Sequence, residues 1–279
     1  MFKVVGIIRR SLVCGLLLTI LCSFPAAQRT GKTLSAEDYY RRGLEKAILN
    51  RCEEAVKDFS RAIQLKPREA QFFKSRGDCY TLLIESKKAV ADFDQAIRLK
   101  PDFVEAYLHR AKVYAFYIDV NGDEVEGFKA NAEADFKRAI DLNPNRSESY
   151  VDRANYYLRP DSAAVEKGLA DLAKAIKLDP DGALPYLTRI DFYRRNGEFE
   201  KAVADCTTLI EKHPESSTAY LERGKIRLEF EKYEQAITDF TAALQLSPDD
   251  PNALRGRAAA YRKIGKTGLA EDDEKRLKQ

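Results

Sequence analysis

The chain has 279 residues, and a third of them are charged, with 47 Lys and Arg against 44 Asp and Glu. Removing three basic residues near the N-terminus, Lys3, Arg9 and Arg10, leaves 44 basic against 44 acidic residues. The charges are interspersed along the chain, as solvated helix faces require, and the strongly basic footprint of a nucleic-acid-binding protein is missing.

The N-terminal segment has the layout of a secretory signal peptide. Basic residues precede an apolar run at residues 12–22, and a short stretch ending in Ala27 follows. Because the run is too short to span a bilayer comfortably, we predict cleavage after Ala27 and a periplasmic or secreted mature chain. Residues 28–35 then form a short linker. An uncleaved anchor stays open, as does a lipid anchor, although Cys14 and Cys22 do not follow the small residue that a lipoprotein signal needs.

After this linker the sequence repeats about every 34 residues. The first repeat has Gly43, Ala55, Phe59, Ala62 and Pro67 at fixed spacings, and the second has the same residue types 34 positions later. Small residues let two helix backbones approach, an aromatic ring fills the space beside them, and proline stops the second helix. Six prolines close such segments: Pro67, Pro101, Pro144, Pro180, Pro214 and Pro248.

These residues and their period resemble the tetratricopeptide repeat, with Tyr or Phe where that family most often has Trp. The resemblance implies an all-α fold, a right-handed superhelical solenoid of antiparallel helix pairs, whose concave wall is built from the first helix of each pair. It covers residues 36–279 in seven repeats: 36–69, 70–103, 104–146, 147–182, 183–216, 217–250 and 251–279.

Two repeats are longer than the others. The third carries about nine extra residues at 118–126, and the fourth carries two extra at 160–161. The longer insert begins like a calcium-binding loop, but it has Glu124 where such a loop turns on Gly and Ala130 where it needs a bidentate Glu. We therefore predict an exposed acidic loop, and a metal-binding role of this insert stays an alternative.

Two charged positions recur in all seven repeats. An Arg directly precedes the close-contact position of the first helix, which holds Gly or Ala except for Ile190 in the fifth repeat. An Asp directly precedes the aromatic position of the second helix. The helical stripe through the Arg is largely apolar in the second and sixth repeats and polar in the first, where no preceding repeat covers it, so the stripe faces the preceding repeat. We therefore predict structural ion pairs between neighbouring repeats: Asp58–Arg76, Asp92–Arg110, Asp135–Arg153, Asp171–Arg189, Asp205–Arg223 and Asp239–Arg257.

The first helices also carry a stripe that fits a peptide-binding groove. Its middle four members are aliphatic, and polar residues flank them. Such a stripe with convergent polar groups is the expected anatomy of a peptide site, although packing between neighbouring first helices stays an alternative. The predicted partner-binding residues are Leu108, Lys112, Val151, Asn155, Leu187, Asp191, Arg194, Leu221 and Lys225.

No catalytic or cofactor site is predicted. His109 and His213 are far apart, with no ligand at metal-binding spacing, and no phosphate-binding glycine loop or nucleophile motif is present in the sequence. Cys52, Cys79 and Cys206 are predicted to be small apolar fillers in helix contacts. A disulfide between Cys52 and Cys79 of adjacent repeats is the alternative, which the strict geometry of disulfides disfavours.

The sequence therefore predicts an exported, non-catalytic scaffold that binds a protein or peptide in its concave groove, with no cofactor, no metal and no nucleic-acid partner. The resemblance also implies a carboxylate clamp in some family members, but the corresponding first-repeat positions are Tyr40 and Leu44, so the clamp is absent. The alternatives are a membrane-tethered factor of cell-envelope assembly and a metal-binding protein that uses the third-repeat insert.

Overall fold

The computed structural model describes residues 34–116, 125–159 and 163–278, and every regular element in these ranges is an α-helix. The all-α class predicted from the repeat spacing is thus confirmed for this part of the chain. Predictions on several segments lie outside the described ranges: the signal peptide, nearly all of the linker, residues 118–124 of the insert, and residues 160–161.

The chain forms two compact units, Met1–Pro144 and Asn145–Gln279. The described part of the first unit has six helices: α1 (Ala36–Ile48), α2 (Cys52–Leu65), α3 (Ala70–Leu82), α4 (Ser86–Leu99), α5 (Val104–Phe116) and α6 (Val125–Leu142). That of the second unit has eight: α7 (Ser147–Tyr157), α8 (Val165–Leu178), α9 (Ala183–Arg195), α10 (Phe199–Lys212), α11 (Ser217–Glu229), α12 (Tyr233–Leu246), α13 (Pro251–Lys263) and α14 (Thr267–Arg276). Odd-numbered helices are the first of each pair and even-numbered helices the second.

In the pairs α1–α2, α3–α4 and α11–α12 the two helices approach closely because a glycine on the first faces an aromatic ring on the second. A Cβ added to Gly77 would lie 2.8 Å from Cε1 of Phe93, and a Cβ added to Gly224 would lie 2.8 Å from Cε1 of Phe240. Both rings are fully buried. In such a closely packed interior no side chain fits at the glycine, which explains the spacing seen in the sequence.

The turn between the two helices of a pair contains a residue in the left-handed region. Glu85 N–H donates to the Tyr80 carbonyl at 2.9 Å and so closes the end of α3. Glycine adopts this conformation without cost, whereas β-branched Ile84 is strained in it. The residues with φ between 57° and 77° are Asn50, Ile84, Gly197, Glu231 and Gly265.

Each recurring Arg pairs with the Asp of its own repeat, so the predicted ladder between neighbouring repeats is wrong. The Arg donates from Nε and Nη2 to both oxygens of a buried carboxylate, in the fork-to-fork geometry that suits these two groups. The observed pairs are Arg42–Asp58, Arg76–Asp92, Arg110–Asp135, Arg153–Asp171, Arg189–Asp205, Arg223–Asp239 and Arg257–Asp273.

The prediction failed on the partner of the Arg and was right about the face on which it lies. Arg76 Nη1 donates to Ser60 Oγ of the preceding repeat at 2.9 Å. Likewise, Arg223 Nη1 donates to Thr207 Oγ1 at 3.1 Å. A guanidinium has donors on more than one edge, so one edge binds the Asp of its own repeat while another reaches the preceding repeat.

Candidate functional site on the first helices

The first helices within one unit share a surface, which we call the first-helix face. In the first unit it is formed by α1, α3 and α5, and in the second by α7, α9, α11 and α13. All nine predicted partner-binding residues lie on these helices. Leu108 and Lys112 belong to the first unit, and the other seven belong to the second.

The aliphatic residues of the predicted groove are largely covered by the protein itself. Leu108 is 2% exposed, Val151 1% and Leu221 7%, while Leu187 is half-buried. Leu221 packs in one apolar cluster with Leu254 of α13. The expected open apolar stripe is therefore not observed, because neighbouring helices cover these side chains, and Leu187 keeps the most apolar surface for a partner.

Polar side chains join the three first helices of the first unit. Between α1 and α3, the hydroxyls of Tyr40 and Ser75 are 3.2 Å apart. Between α3 and α5, Nδ1 of His109 lies 2.5 Å from Oδ1 of Asp78. Lys74 Nζ lies 2.9 Å from Oδ2 of Asp78, so this carboxylate is shared by a cation on its own helix and an imidazole on the next.

The protonation of this cluster follows from its charges and its burial. Burial raises the pKa of Asp78, but the protonated His109 ring and Lys74 outweigh burial and lower that pKa to about 2. Burial is the main cause that holds the pKa of His109 below its usual value. At pH 7 a neutral His109 therefore donates its Nδ1–H to an ionised Asp78.

In the second unit, charged side chains link α9 to α11. Arg194 Nη1 donates to Glu229 Oε1 on α11 at 3.0 Å, and its Nη2 donates to Asp191 Oδ1 at 3.2 Å. Arg195 Nε donates to the other oxygen of Asp191 at 2.9 Å. Burial lowers the pKa of Arg194, but Glu229 and Asp191 outweigh burial and raise it, so the guanidinium stays charged.

The remaining polar residues of the predicted groove are accessible from solvent. Asn155 is exposed on α7, and Lys112 is half-buried on α5. Lys225 Nζ lies 2.7 Å from Oε1 of Glu222 on its own helix. In the ranges described by the structure, no group of three or more His, Cys, Asp or Glu is arranged to hold a metal ion. Nor does any described helix have the length and apolarity needed to cross a membrane.

The residues of these networks that were not among the predicted site residues are Lys74, Asp78, Tyr40, Ser75, His109, Arg195, Glu222 and Glu229. A signal for the first two was present, because Lys74 occupies the same repeat position as Leu108, and Asp78 the same position as Lys112. The second repeat lies outside the aliphatic part of the stripe, because its stripe position holds Lys74.

The family model of the tetratricopeptide repeat matches residues 24–102, 187–251 and 221–279, which is more than half of the chain. The chain belongs to the tetratricopeptide repeat family. The resemblance carried by the spacing of its small and aromatic residues is thereby confirmed. A search of curated proteins gives no match.

Solved structures share the tetratricopeptide repeat fold. A tetratricopeptide repeat protein from Parabacteroides merdae ATCC 43184 is 15% identical with a TM-score of 0.58, over 87% of this chain and 92% of that one. The type IV pilus biogenesis factor PilW is 18% identical with a TM-score of 0.56, over 75% and 92%. A chain of the APC/C hetero-tetramer Cut9-Hcn1 is 14% identical with a TM-score of 0.54, over 81% and 42%. Likeness at these identities shows the fold alone.

Proposed function

We propose that this protein is an exported, non-catalytic scaffold that holds a protein or peptide partner on its first-helix face. Tetratricopeptide repeats are in general non-catalytic scaffolds for protein–protein interaction. The observation that carries the proposal is the band of paired charged side chains that joins successive first helices. Arg194 with Asp191 and Glu229 forms this band in the second unit, and Asp78 with Lys74 and His109 forms it in the first.

The chemistry of this face suits a polar or charged segment of a partner. Paired charges of both signs offer donors and acceptors, and the pairing itself holds them in place before a partner arrives. Such groups contribute mainly to specificity and to the association rate. Leu187 is the half-buried aliphatic residue beside them and would supply a limited apolar contact. The balanced net charge argues for a protein partner over a nucleic acid.

Export is the second part of the proposal. It is supported by the basic, apolar and small residues of the N-terminal segment, which end at Ala27. The test is N-terminal sequencing of the protein recovered from the cell envelope or medium. A mature chain that begins near Gln28 is expected. A chain that begins at Met1 and is recovered only with cytosolic proteins would contradict export.

The binding proposal is tested by removing accessible polar groups from three consecutive first helices. The variant Asn155→Ala/Asp191→Ala/Lys225→Ala keeps the buried aliphatic residues intact. Partners are captured from the native envelope fraction with the unaltered protein, identified by mass spectrometry, and their affinity is then measured by calorimetry. We expect the triple variant to bind the captured partner about tenfold or more weakly, as interface truncations of this kind do.

A matched control truncates one exposed residue on the second helix of each of the same repeats, as Lys174→Ala/Glu200→Ala/Gln235→Ala. This control is expected to bind the partner like the unaltered protein. The first-helix face is not the binding surface if both triple variants bind equally well, or if only the control variant loses affinity. Circular dichroism of both variants shows whether the helices are retained.

A further inference from the structure

Two cysteines of adjacent repeats meet inside the first unit. Cys52 is the first residue of α2, and Cys79 lies near the end of α3. Both are buried in one apolar cluster with Ala55 and Phe59, and both are free thiols. Each thiol is the group that most strongly affects the pKa of the other. The contact crosses from the second helix of the first repeat to the first helix of the second repeat.

The two thiols differ in reactivity. The neighbouring Cys79 thiol lowers the pKa of Cys52, and the Cys52 thiol raises the pKa of Cys79. Cys52 also stands at a helix N-terminus, where unpaired backbone N–H groups stabilise a thiolate. Cys206 is different, because burial raises its pKa to about 12 and it is the only cysteine of the second unit. Cys52 is therefore the thiol of the pair that attacks first.

We propose that Cys52 and Cys79 are a redox pair that closes to a disulfide between the first and second repeats. The oxidant is a disulfide of the glutathione class. The Cys52 thiolate attacks one sulfur of it, which forms a mixed disulfide and releases one thiol. Cys79 then loses its proton and attacks Sγ of Cys52, which releases the second thiol. Two electrons leave the protein and reduce one external disulfide to two thiols.

The bond would tie the first repeat to the second. Among the described residues the first repeat packs against one neighbouring repeat, and the end of a repeat array is where opening costs least. A link between residues 52 and 79 removes open conformations of this helix pair from the ensemble. The inference goes beyond the proposed binding role and does not depend on it, because it stands on the burial of both thiols in one cluster between the first and second repeats.

The experiment uses the full chain, reduced, unfolded in urea and refolded in a buffer of oxidised and reduced glutathione. Remaining thiols are blocked with N-ethylmaleimide before digestion with trypsin. Cleavage after Arg51, Lys57, Arg76 and Lys87 gives the peptides 52–57 and 77–87. We expect these two peptides to be joined by a disulfide, with the peptide that contains Cys206 carrying maleimide. Backbone amides of α1 and α2 should exchange about tenfold or more slowly in the oxidised protein than in the reduced protein.

The matched variants separate this pairing from general oxidation. Cys206→Ser is expected to leave the joined peptides unchanged, and Cys52→Ser is expected to abolish them. The proposal is overturned if Cys52 and Cys79 both carry maleimide, if each carries glutathione, or if either is joined to another cysteine or to a second chain. These outcomes are measured on the unaltered protein, so they decide the proposal even if the Cys52→Ser variant folds poorly.

Discussion

Arg76 and Asp92 face each other across the helix pair α3 and α4, joined by two parallel hydrogen bonds of 2.8 Å and 2.7 Å. The guanidinium carbon also lies 5.8 Å from the ring centres of Phe73 and Tyr80. Its remaining edge donates to Ser60 of the preceding repeat. One side chain thus holds its own helix pair together and contacts the previous one, while aromatic rings shield its charge from water.

Replacing Arg76 by methionine should be strongly destabilising. The side chain of Asp92 is 7% exposed, so the change leaves a buried carboxylate without its cation. We expect the free energy of unfolding to fall by about 2–4 kcal/mol, measured by urea denaturation. Replacing both residues, as Arg76→Met/Asp92→Leu, should cost less than Arg76→Met alone, because no charge is then left unpaired.

Arg42→Met is the substitution in the first repeat that corresponds to Arg76→Met in the second. The Arg42 side chain is 44% exposed, and Lys46 also binds Asp58 at 2.7 Å. We expect a loss of less than about 1 kcal/mol. Equal losses of unfolding free energy for Arg42→Met and Arg76→Met would show that burial of the ion pair does not determine its contribution to stability.

Gly77→Ala should weaken the contact between α3 and α4. The added Cβ would lie 2.8 Å from the buried Phe93 ring, so helix or ring has to move. We expect a loss of about 1–3 kcal/mol in unfolding free energy. Gly268→Ala is the control on α14, where nothing lies within 4 Å of the new Cβ. There the better helix propensity of alanine should stabilise by up to about 1 kcal/mol. A similar change in unfolding free energy for Gly77→Ala and Gly268→Ala would exclude a steric clash with Phe93 as the cause.

The helix pairs could be predicted because their packing depends on residue size, which the sequence shows directly. The contact between the small Gly77 and the large Phe93 is an example. The partner of Arg76 was not predictable in the same way. The apolar stripe through this Arg shows which neighbour it faces, but a guanidinium has two usable edges. Which edge meets a carboxylate depends on how far the two helices of the pair slide along each other. That displacement is decided by packing of the whole repeat and is not visible in a single stripe.

The candidate site was partly predictable for a similar reason. Asp191 and Arg194 are three residues apart on one helix, so their proximity follows from helix geometry. Glu229 lies 35 residues further along the chain, and its contact with Arg194 depends on the packing of α9 beside α11. For Leu108 the sequence left both partner binding and packing between helices open, and the side chain is 2% exposed in the structure.

Ile84→Gly should stabilise the protein. Ile84 has a φ of 63° and is 53% exposed, so its side chain contributes little packing while its backbone is strained. Relief of about 1–2 kcal/mol of left-handed strain exceeds the extra backbone entropy of glycine in the unfolded chain. We expect a net gain of about 0.5–1 kcal/mol by urea denaturation. Gly197→Ala, at the same turn position with φ of 72°, should lose about 1 kcal/mol. Loss of stability in Ile84→Gly would mean that the isoleucine side chain matters more than its backbone.

The ionised carboxylate of Asp78 should stabilise the first unit in a pH-dependent manner. Its pKa is lowered from 3.8 to about 2 in the folded protein. A carboxyl group with a lowered folded pKa contributes its full stability above pH 3.8 and loses it as the pH falls towards 2. At pH 7 Asp78→Asn removes the charge that Lys74 faces and that accepts the hydrogen bond of the neutral His109 ring. We expect it to cost about 1–2 kcal/mol at pH 7, because the side chain keeps some exposure, and progressively less below about pH 4.

Asp141→Asn provides the comparison for this titration. Asp141 pairs with Lys137 on the exposed surface of α6, with 2.6 Å between Nζ and Oδ2. Its replacement should change the unfolding free energy by less than about 0.5 kcal/mol both at pH 7 and at pH 3. Carbon-detected NMR of the Asp78 carboxyl group gives a direct check, with a midpoint expected near pH 2. A midpoint at or above 3.8, together with a cost for Asp78→Asn that is the same at pH 7 and pH 3, would show that Lys74 and His109 do not stabilise its charge.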